Sequence, residues 1–211
     1  MKLFYAAAAS LLLLSGCAGA PESKDLFNGT DLTGWNLCVD GDEIPATDVF
    51  KVEDGEIHIS GVPFGYMYTD GVYRNYELDV EWSWFDEPMN SGIFLLVDDL
   101  TVPFPKTVEC QLHGGDAGDF VLLGGAMLKE YQIPEEGLPQ FPKMVKKEAS
   151  SENPVGEWNH AHIVVVDGHI TVYVNDVLQN EGTNEIKEGR IALQSEGGPI
   201  RFRSVKIKEL D

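Results

Sequence analysis

The sequence predicts an all-β protein, two antiparallel sheets packed face to face, and three observations carry that prediction. Apolar and polar residues alternate with period two in segment after segment; Gly-containing turn signals separate those segments; and no stretch sustains a helical period. The 22 glycines and 11 prolines are spread along the chain, as frequent tight turns require.

In chain order, Phe50–Val52 and Ile57–Ile59 flank Glu53-Asp54-Gly55 and read as a hairpin. Tyr76, Leu78, Val80, Trp82 and Trp84 alternate with Glu77, Asp79, Glu81 and Ser83, which predicts a half-buried strand with both tryptophans in the core. Val108, Cys110 and Leu112 alternate in the same way with Glu109, Gln111 and His113. Gly124 to Glu130 reads as one turn or a loop, and the Pro- and Lys-rich stretch Pro134 to Pro154 as a long surface loop. Asp167-Gly168 joins Ile163–Val166 to Ile170–Val174 as a second hairpin. From Ile200 to Leu210 the apolar phase shifts between Phe202 and Val205, which predicts a bulge or strong twist. Trp35 and Trp158 are expected as structural anchors, and His58, His160, His162 and His169 as structural residues without metal spacing.

Composition bounds the function. The 211 residues carry 35 Asp+Glu against 15 Lys+Arg, a net charge of −20. No basic stripe exists to meet a nucleic acid or an anionic membrane surface. There is no G-x-S-x-G elbow, no H-E-x-x-H, no P-loop and no dinucleotide fingerprint, which disfavours serine hydrolysis, zincin chemistry and nucleotide use.

Residues 1–16 read as a secretory signal, with Lys2 as the basic end and Ala6 to Leu14 as an apolar run too short to span a bilayer. Leu14-Ser15-Gly16-Cys17 resembles the lipobox of bacterial lipoproteins. That resemblance implies cleavage before Cys17, a lipid on its thiol, a tether over 17–24, and a place in the bacterial cell envelope, facing the periplasm or the outer membrane. A single domain fills 25–211. Cys38 and Cys110 read as two separately buried thiols in preference to a disulfide, and without a Cys-x-x-Cys or Cys/His cluster they are poor metal ligands.

The stretch Leu26-Phe27-Asn28-Gly29-Thr30-Asp31-Leu32-Thr33-Gly34-Trp35 resembles the opening signature of the bacterial DUF1080 family, described as 3-keto-disaccharide hydrolases or 3-keto-glucoside lyases and hydratases. The resemblance continues through Asn90-Ser91-Gly92-Ile93-Phe94, Val108-Glu109-Cys110-Gln111-Leu112, Ala117-Gly118-Asp119-Phe120 and Glu157-Trp158-Asn159. It closes with Val172-Tyr173-Val174-Asn175, Leu193-Gln194-Ser195-Glu196-Gly197-Gly198-Pro199-Ile200 and Phe202-Arg203. The blocks run in family order over almost the whole of Leu26 to Leu210. They imply a concanavalin A-like lectin/glucanase jelly-roll sandwich whose concave sheet holds a carbohydrate. Asp176 stands where the family often has Gly in a hairpin turn, a change that touches the turn and not the site.

Spacing alone places candidates. Glu109, Gln111 and His113 fall on one strand face, as do Gln194 and Glu196 with Leu193 and Ser195 behind them. Carboxylates beside amides suit sugar hydroxyls, which both donate and accept, and a carboxylate of raised pKa suits acid/base work. Asp119, after Gly118, is either aimed at the end of that face or closing an Asx turn; Asn90 either contacts substrate or shapes its turn. His113 is either a base or an exposed bystander.

The leading expectation is an enzyme that cleaves a 3-keto-glycoside, with Glu109 or His113 as base and Gln111, Asn90, Asp119, Gln194 and Glu196 binding the sugar. A ketone at C3 acidifies the C2 proton, so elimination of the C1 substituent followed by hydration gives net hydrolysis. Polarisation of the ketone falls to a protein donor or to a divalent metal ion bound at Glu109, Asp119 or Glu196, whose carboxylates are hard oxygen ligands. The competing expectations are a glycan-binding, lectin-like module without turnover and a purely structural envelope protein. Partners are then an oligosaccharide or keto-sugar, and a membrane only through the lipid anchor.

Overall fold

A computed structural model describes residues 22–211, so the expected signal segment and the lipidation site Cys17 lie outside the described residues. In chain order the elements are β1 (Lys24–Asp25), β2 (Trp35–Val39), α1 (Ala46–Val49), β3 (Phe50–Glu53), β4 (Glu56–Ile59) and β5 (Gly65–Thr69). Then come β6 (Tyr76–Trp84), β7 (Gly92–Val97), β8 (Thr107–Gln111), β9 (Phe120–Leu123) and β10 (Lys143–Met144). The last are β11 (Asn159–Val166), β12 (His169–Val174), β13 (Val177–Thr183), β14 (Arg190–Ser195) and β15 (Ile200–Glu209).

They form two antiparallel sheets. The first runs β13-β12-β11-β6-β15-β4-β3 with β1 added on β15, and the second runs β10-β9-β8-β7-β14-β5-β2. Between them lies one core, in which Leu78, Val80, Trp82, Trp84, Ile163 and Val165 meet Ile93, Leu95, Val108, Cys110 and Leu193. Each such side chain contributes about 1.5–3 kcal/mol by leaving water, so the alternation seen in the sequence is the packing signal. Both tryptophans of β6 are core residues, as their parity with Leu78 and Val80 predicts.

The turns follow their chemistry. Asp54 and Gly55 take φ of 53° and 80°, and Asp167 and Gly168 take 52° and 81°, the left-handed pair that matches strand twist in a two-residue hairpin. Asp176 adopts φ 66° after Asn175 at 46°, so a residue other than Gly serves there. The phase shift in β15 is a bulge, with the register against β6 slipping between Phe202 and Ser204. Cys38 and Cys110 are free thiols on opposite faces of the second sheet: Cys110 is in the core, and Cys38 packs with a separate apolar cluster outside it.

One expectation is corrected. The Pro-rich stretch from Pro134 to Pro154 is not merely a surface loop. Its β10 adds an edge to β9, Leu122 N–H donates to Pro142 O (2.8 Å), and Lys147 N–H donates to Gln179 O (2.7 Å). Pro142 precedes this two-residue edge, and having no N–H it cannot extend the ladder on that side. The stretch thereby closes one side of the cavity described next.

Candidate functional site

The outer face of the second sheet carries the candidate residues, because strand alternation that sends Cys110 and Leu193 inward sends Glu109, Gln111 and Gln194 outward. Register aligns them: Gly92 lies opposite Gln111, Phe94 opposite Glu109, and Tyr66 opposite Gln194. A cavity of about 210 Å³ opens there, with Asn90, Glu109, Gln111, Lys143, Gln194 and Glu196 as polar lining and Phe104, Val121, Leu123 and Phe141 as apolar lining.

Glu109 is only 2% exposed, and its Oε1 has no hydrogen-bond partner among the described residues. Burial pushes its carboxyl well above the ordinary carboxylate range; the nearby Glu196 charge pushes the same way, and Lys143 opposes both. Gly92 makes room for it. A Cβ built there would stand 2.2 Å from Glu109 Oε1, so any side chain at position 92 would displace the Glu109 carboxyl.

The amides are fixed by what they already bond. Gln111 Oε1 accepts the N–H groups of Leu112 (2.9 Å) and His113 (3.0 Å), which leaves its NH₂ as the group free to donate. Gln194 does the reverse: its Nε2 donates to Glu196 Oε2 (2.6 Å) and its Oε1 is buried without a partner. Asn90 both shapes its turn, through backbone bridges to Glu196 and Gly197, and lines the cavity with a buried, unpartnered Oδ1. Burial raises the half-buried Glu196 carboxyl against the stabilising amides of Asn90 and Gln194 and the charge of His113.

Two candidates are placed differently from expectation. The strand ends at Gln111, and the chain enters a turn that Asp116 N–H closes on His113 O (2.8 Å), so His113 does not continue the alternation of Glu109 and Gln111. It sits half-exposed outside the cavity lining with Nδ1 3.5 Å from Asp116 Oδ2, a poor position for the base. Asp119 is fully buried and spoken for: Oδ1 accepts Lys146 N–H (2.7 Å) and Oδ2 pairs with Lys143 Nζ (2.7 Å). It holds Lys143 in the cavity wall and does not itself line the cavity.

Lys143 is the functional residue that sequence reasoning missed. Burial works against its charge, but Asp119 and Asp116 outweigh that and hold its pKa up, so the ammonium persists beside Glu109. The one local hint is a lysine embedded in Phe141-Pro142-Lys143-Met144, an apolar run inside an otherwise polar segment. With Asp119 neutralised by lysine, the carboxylates do not assemble a hard-cation site; among the described residues no three His, Cys, Asp or Glu side chains are grouped to hold a metal ion.

Residues 22–208 match the 3-keto-alpha-glucoside-1,2-lyase-like domain family. The chain belongs to that family. A 3-keto-disaccharide hydrolase of Bacteroides thetaiotaomicron is 25% identical over 236 residues, covering 88% of this chain and 78% of that protein. A crystal structure from Parabacteroides distasonis, described as a candidate glycosyl hydrolase, superposes with a TM-score of 0.64 at 25% identity, covering 90% of this chain and 94% of that one. The β-glucanase of Bacillus licheniformis shares the sandwich at a TM-score of 0.59 and 12% identity, covering 92% of this chain and 100% of that one. The jelly-roll reading thus stands, and the chain falls among glycoside-acting enzymes.

Proposed function

We propose that this protein cleaves a 3-keto-glycoside by elimination and hydration, with Glu109 as the base. The observation that carries the proposal is the Glu109 carboxyl: buried, unpartnered at Oε1, raised in pKa and facing a cavity that also holds a lysine ammonium. A carboxyl raised toward neutrality is a stronger base once ionised, which is what removal of a carbon-bound proton asks for.

Glu109 takes the C2 proton and the electron pair delocalises onto the C3 ketone. The C1–O bond then breaks, and the aglycone departs as an alcohol after taking up a proton. Water adds at C1 of the resulting enone and a proton from solvent returns to C2, so the sum is hydrolysis. Lys143 supplies the positive charge against which the C3 oxyanion develops, a preorganised electrostatic role. The free NH₂ of Gln111 donates to the sugar, and the free Oε1 of Gln194 and Oδ1 of Asn90 accept from its hydroxyls. The lipobox-like run before Cys17 supports export and a lipid anchor for the same enzyme; recovery of Cys17→Ala from the soluble instead of the membrane fraction would check that.

The test is reaction of the domain from Lys24 to Asp211 with a 3-keto-disaccharide in D₂O beside the unoxidised sugar, read by mass spectrometry and NMR. Cleavage of the keto sugar alone, with deuterium at C2 of the product, is expected. Cleavage without deuterium, with exchange controls clean, would remove the mechanism. Binding without any cleavage would make the protein a lectin-like module.

A further inference from the structure

The cavity has two chemically different ends, and this inference rests on reading it as the keto-glycoside site. At the polar end stand Asn90, Gln111, Gln194 and Glu196, with Glu109 two residues along β8 from Gln111. Val121 lies between Glu109 and Lys143 in the sheet register, and Leu123 lies two residues beyond it; both are buried and join the apolar cluster of Tyr66, Phe94 and Ala192. Phe104 and Phe141 wall the apolar end, their ring centroids 5.2 Å apart and their planes at 69°, so the two rings form a corner. Phe64 extends the same apolar rim outward, 5.9 Å from Phe104.

We infer that the Phe104–Phe141 corner, floored by Val121 and Leu123, is an aglycone subsite for a flat apolar ring, so that aryl and arylalkyl 3-keto-glycosides are preferred to disaccharides. The sugar that reacts must occupy the end with donors and acceptors, because its hydroxyls need them. A second sugar ring at the apolar end would bring further hydroxyls, which lose water there without partners in exchange. An aromatic ring brings none and gains edge or face contact with both phenylalanines. Polar selection at one end and apolar selection at the other thus commit the departing group to an aromatic alcohol.

Benzyl and methyl 3-keto-glucosides test this, since both release ordinary alcohols and differ mainly in the ring, with a 3-keto-disaccharide as the third substrate. The expected kcat/KM for the benzyl compound exceeds that for the methyl compound by roughly 10- to 100-fold, the scale of burying one ring. It also exceeds that for the disaccharide. Phe141→Ala and Phe104→Ala each reduce the benzyl-to-methyl ratio about tenfold; Phe141 is 42% exposed, so folding is not at risk in that variant. A parent ratio near one, a preference for the disaccharide, or ratios unchanged in both variants would overturn the subsite. Calorimetry with unoxidised benzyl and methyl glucosides separates this from the reaction itself. If no keto sugar is cleaved, the reaction reading fails, and the subsite survives only if the benzyl compound binds about tenfold tighter and loses that advantage in Phe141→Ala. Equal binding would end it.

Discussion

Each sheet of the sandwich has an outward face bearing carboxylates, and the two faces treat them in opposite ways. On the first sheet Asp79 accepts from His160 (2.8 Å) and His162 (2.9 Å), Glu81 pairs with Arg203 and Glu77 with Lys208. The partners lower the Asp79 and Glu81 carboxyls, His160 being the leading cause for the first and Arg203 for the second. All of them keep contact with water. On the second sheet Glu109 is buried, lacks a partner for Oε1 and is raised. A polar face is therefore no mark of function in an acidic protein. What marks the site is a carboxyl, costly to bury, denied both water and a partner while facing a cavity; the unpartnered Tyr76 hydroxyl and the Trp82 and Trp84 ring N–H groups are neutral and sit in the core.

The sharpest way to break the contrast is to remove the unmatched acid. Glu109→Gln is expected to lower kcat/KM by about 10³-fold, within the range of lost general-base catalysis. It should also stabilise the protein. The unfolded carboxyl ionises at its ordinary value and the folded one well above it, so the parent loses about 1.4 kcal/mol for each pH unit between the two as pH rises. The Gln variant escapes that loss. Its melting temperature should exceed the parent's at neutral pH, and the two should converge in acid, below the ordinary carboxylate pKa. A variant that is both less active and less stable at neutral pH would contradict this reading.

Gly92→Ala comes next. Its new Cβ meets the Glu109 carboxyl, so activity should fall roughly 10- to 100-fold through misplacement of the base, with circular dichroism unchanged. Two further variants sharpen the comparison by moving Glu109 in opposite directions. Lys143→Met removes the charge that opposes its raised pKa, so the acid limb of the kcat/KM profile should move to higher pH. Glu196→Gln removes a charge that raises it, so the limb should move to lower pH. Shifts of the same sign would show that the limb belongs to another group. The smallest effect is expected on the other face. Asp79→Asn should cost about 0.5 kcal/mol in a denaturant titration, the scale of a half-exposed pair, and leave kcat/KM within about twofold.

Parity made half of this site legible. Glu109 and Gln111 flank a core cysteine, and Gln194 follows a core leucine, so alternation alone put their side chains outward. His113 shows where parity stops: the strand ends at Gln111, His113 opens a turn closed by Asp116 N–H, and a count of two no longer means the same face. Lys143 was illegible because its place depends on a two-residue edge pairing and on Asp119, 24 positions earlier in the chain, neither of which leaves a local period. Phe104 and Phe141 come from irregular segments, where no periodicity exists to read. Gly92 stood in the sequence only as one residue of the Asn90–Phe94 block, and the approach of Glu109 supplies its reason.

The most direct measurement is the titration of Glu109 itself, followed by ¹³C resonances of labelled carboxyls in the parent and assigned by their loss in Glu109→Gln. A midpoint well above the ordinary carboxylate range, coinciding with the acid limb of kcat/KM for a 3-keto-glycoside, is expected. An ordinary midpoint, or a raised one that the activity ignores, would contradict the assignment of Glu109 as the base.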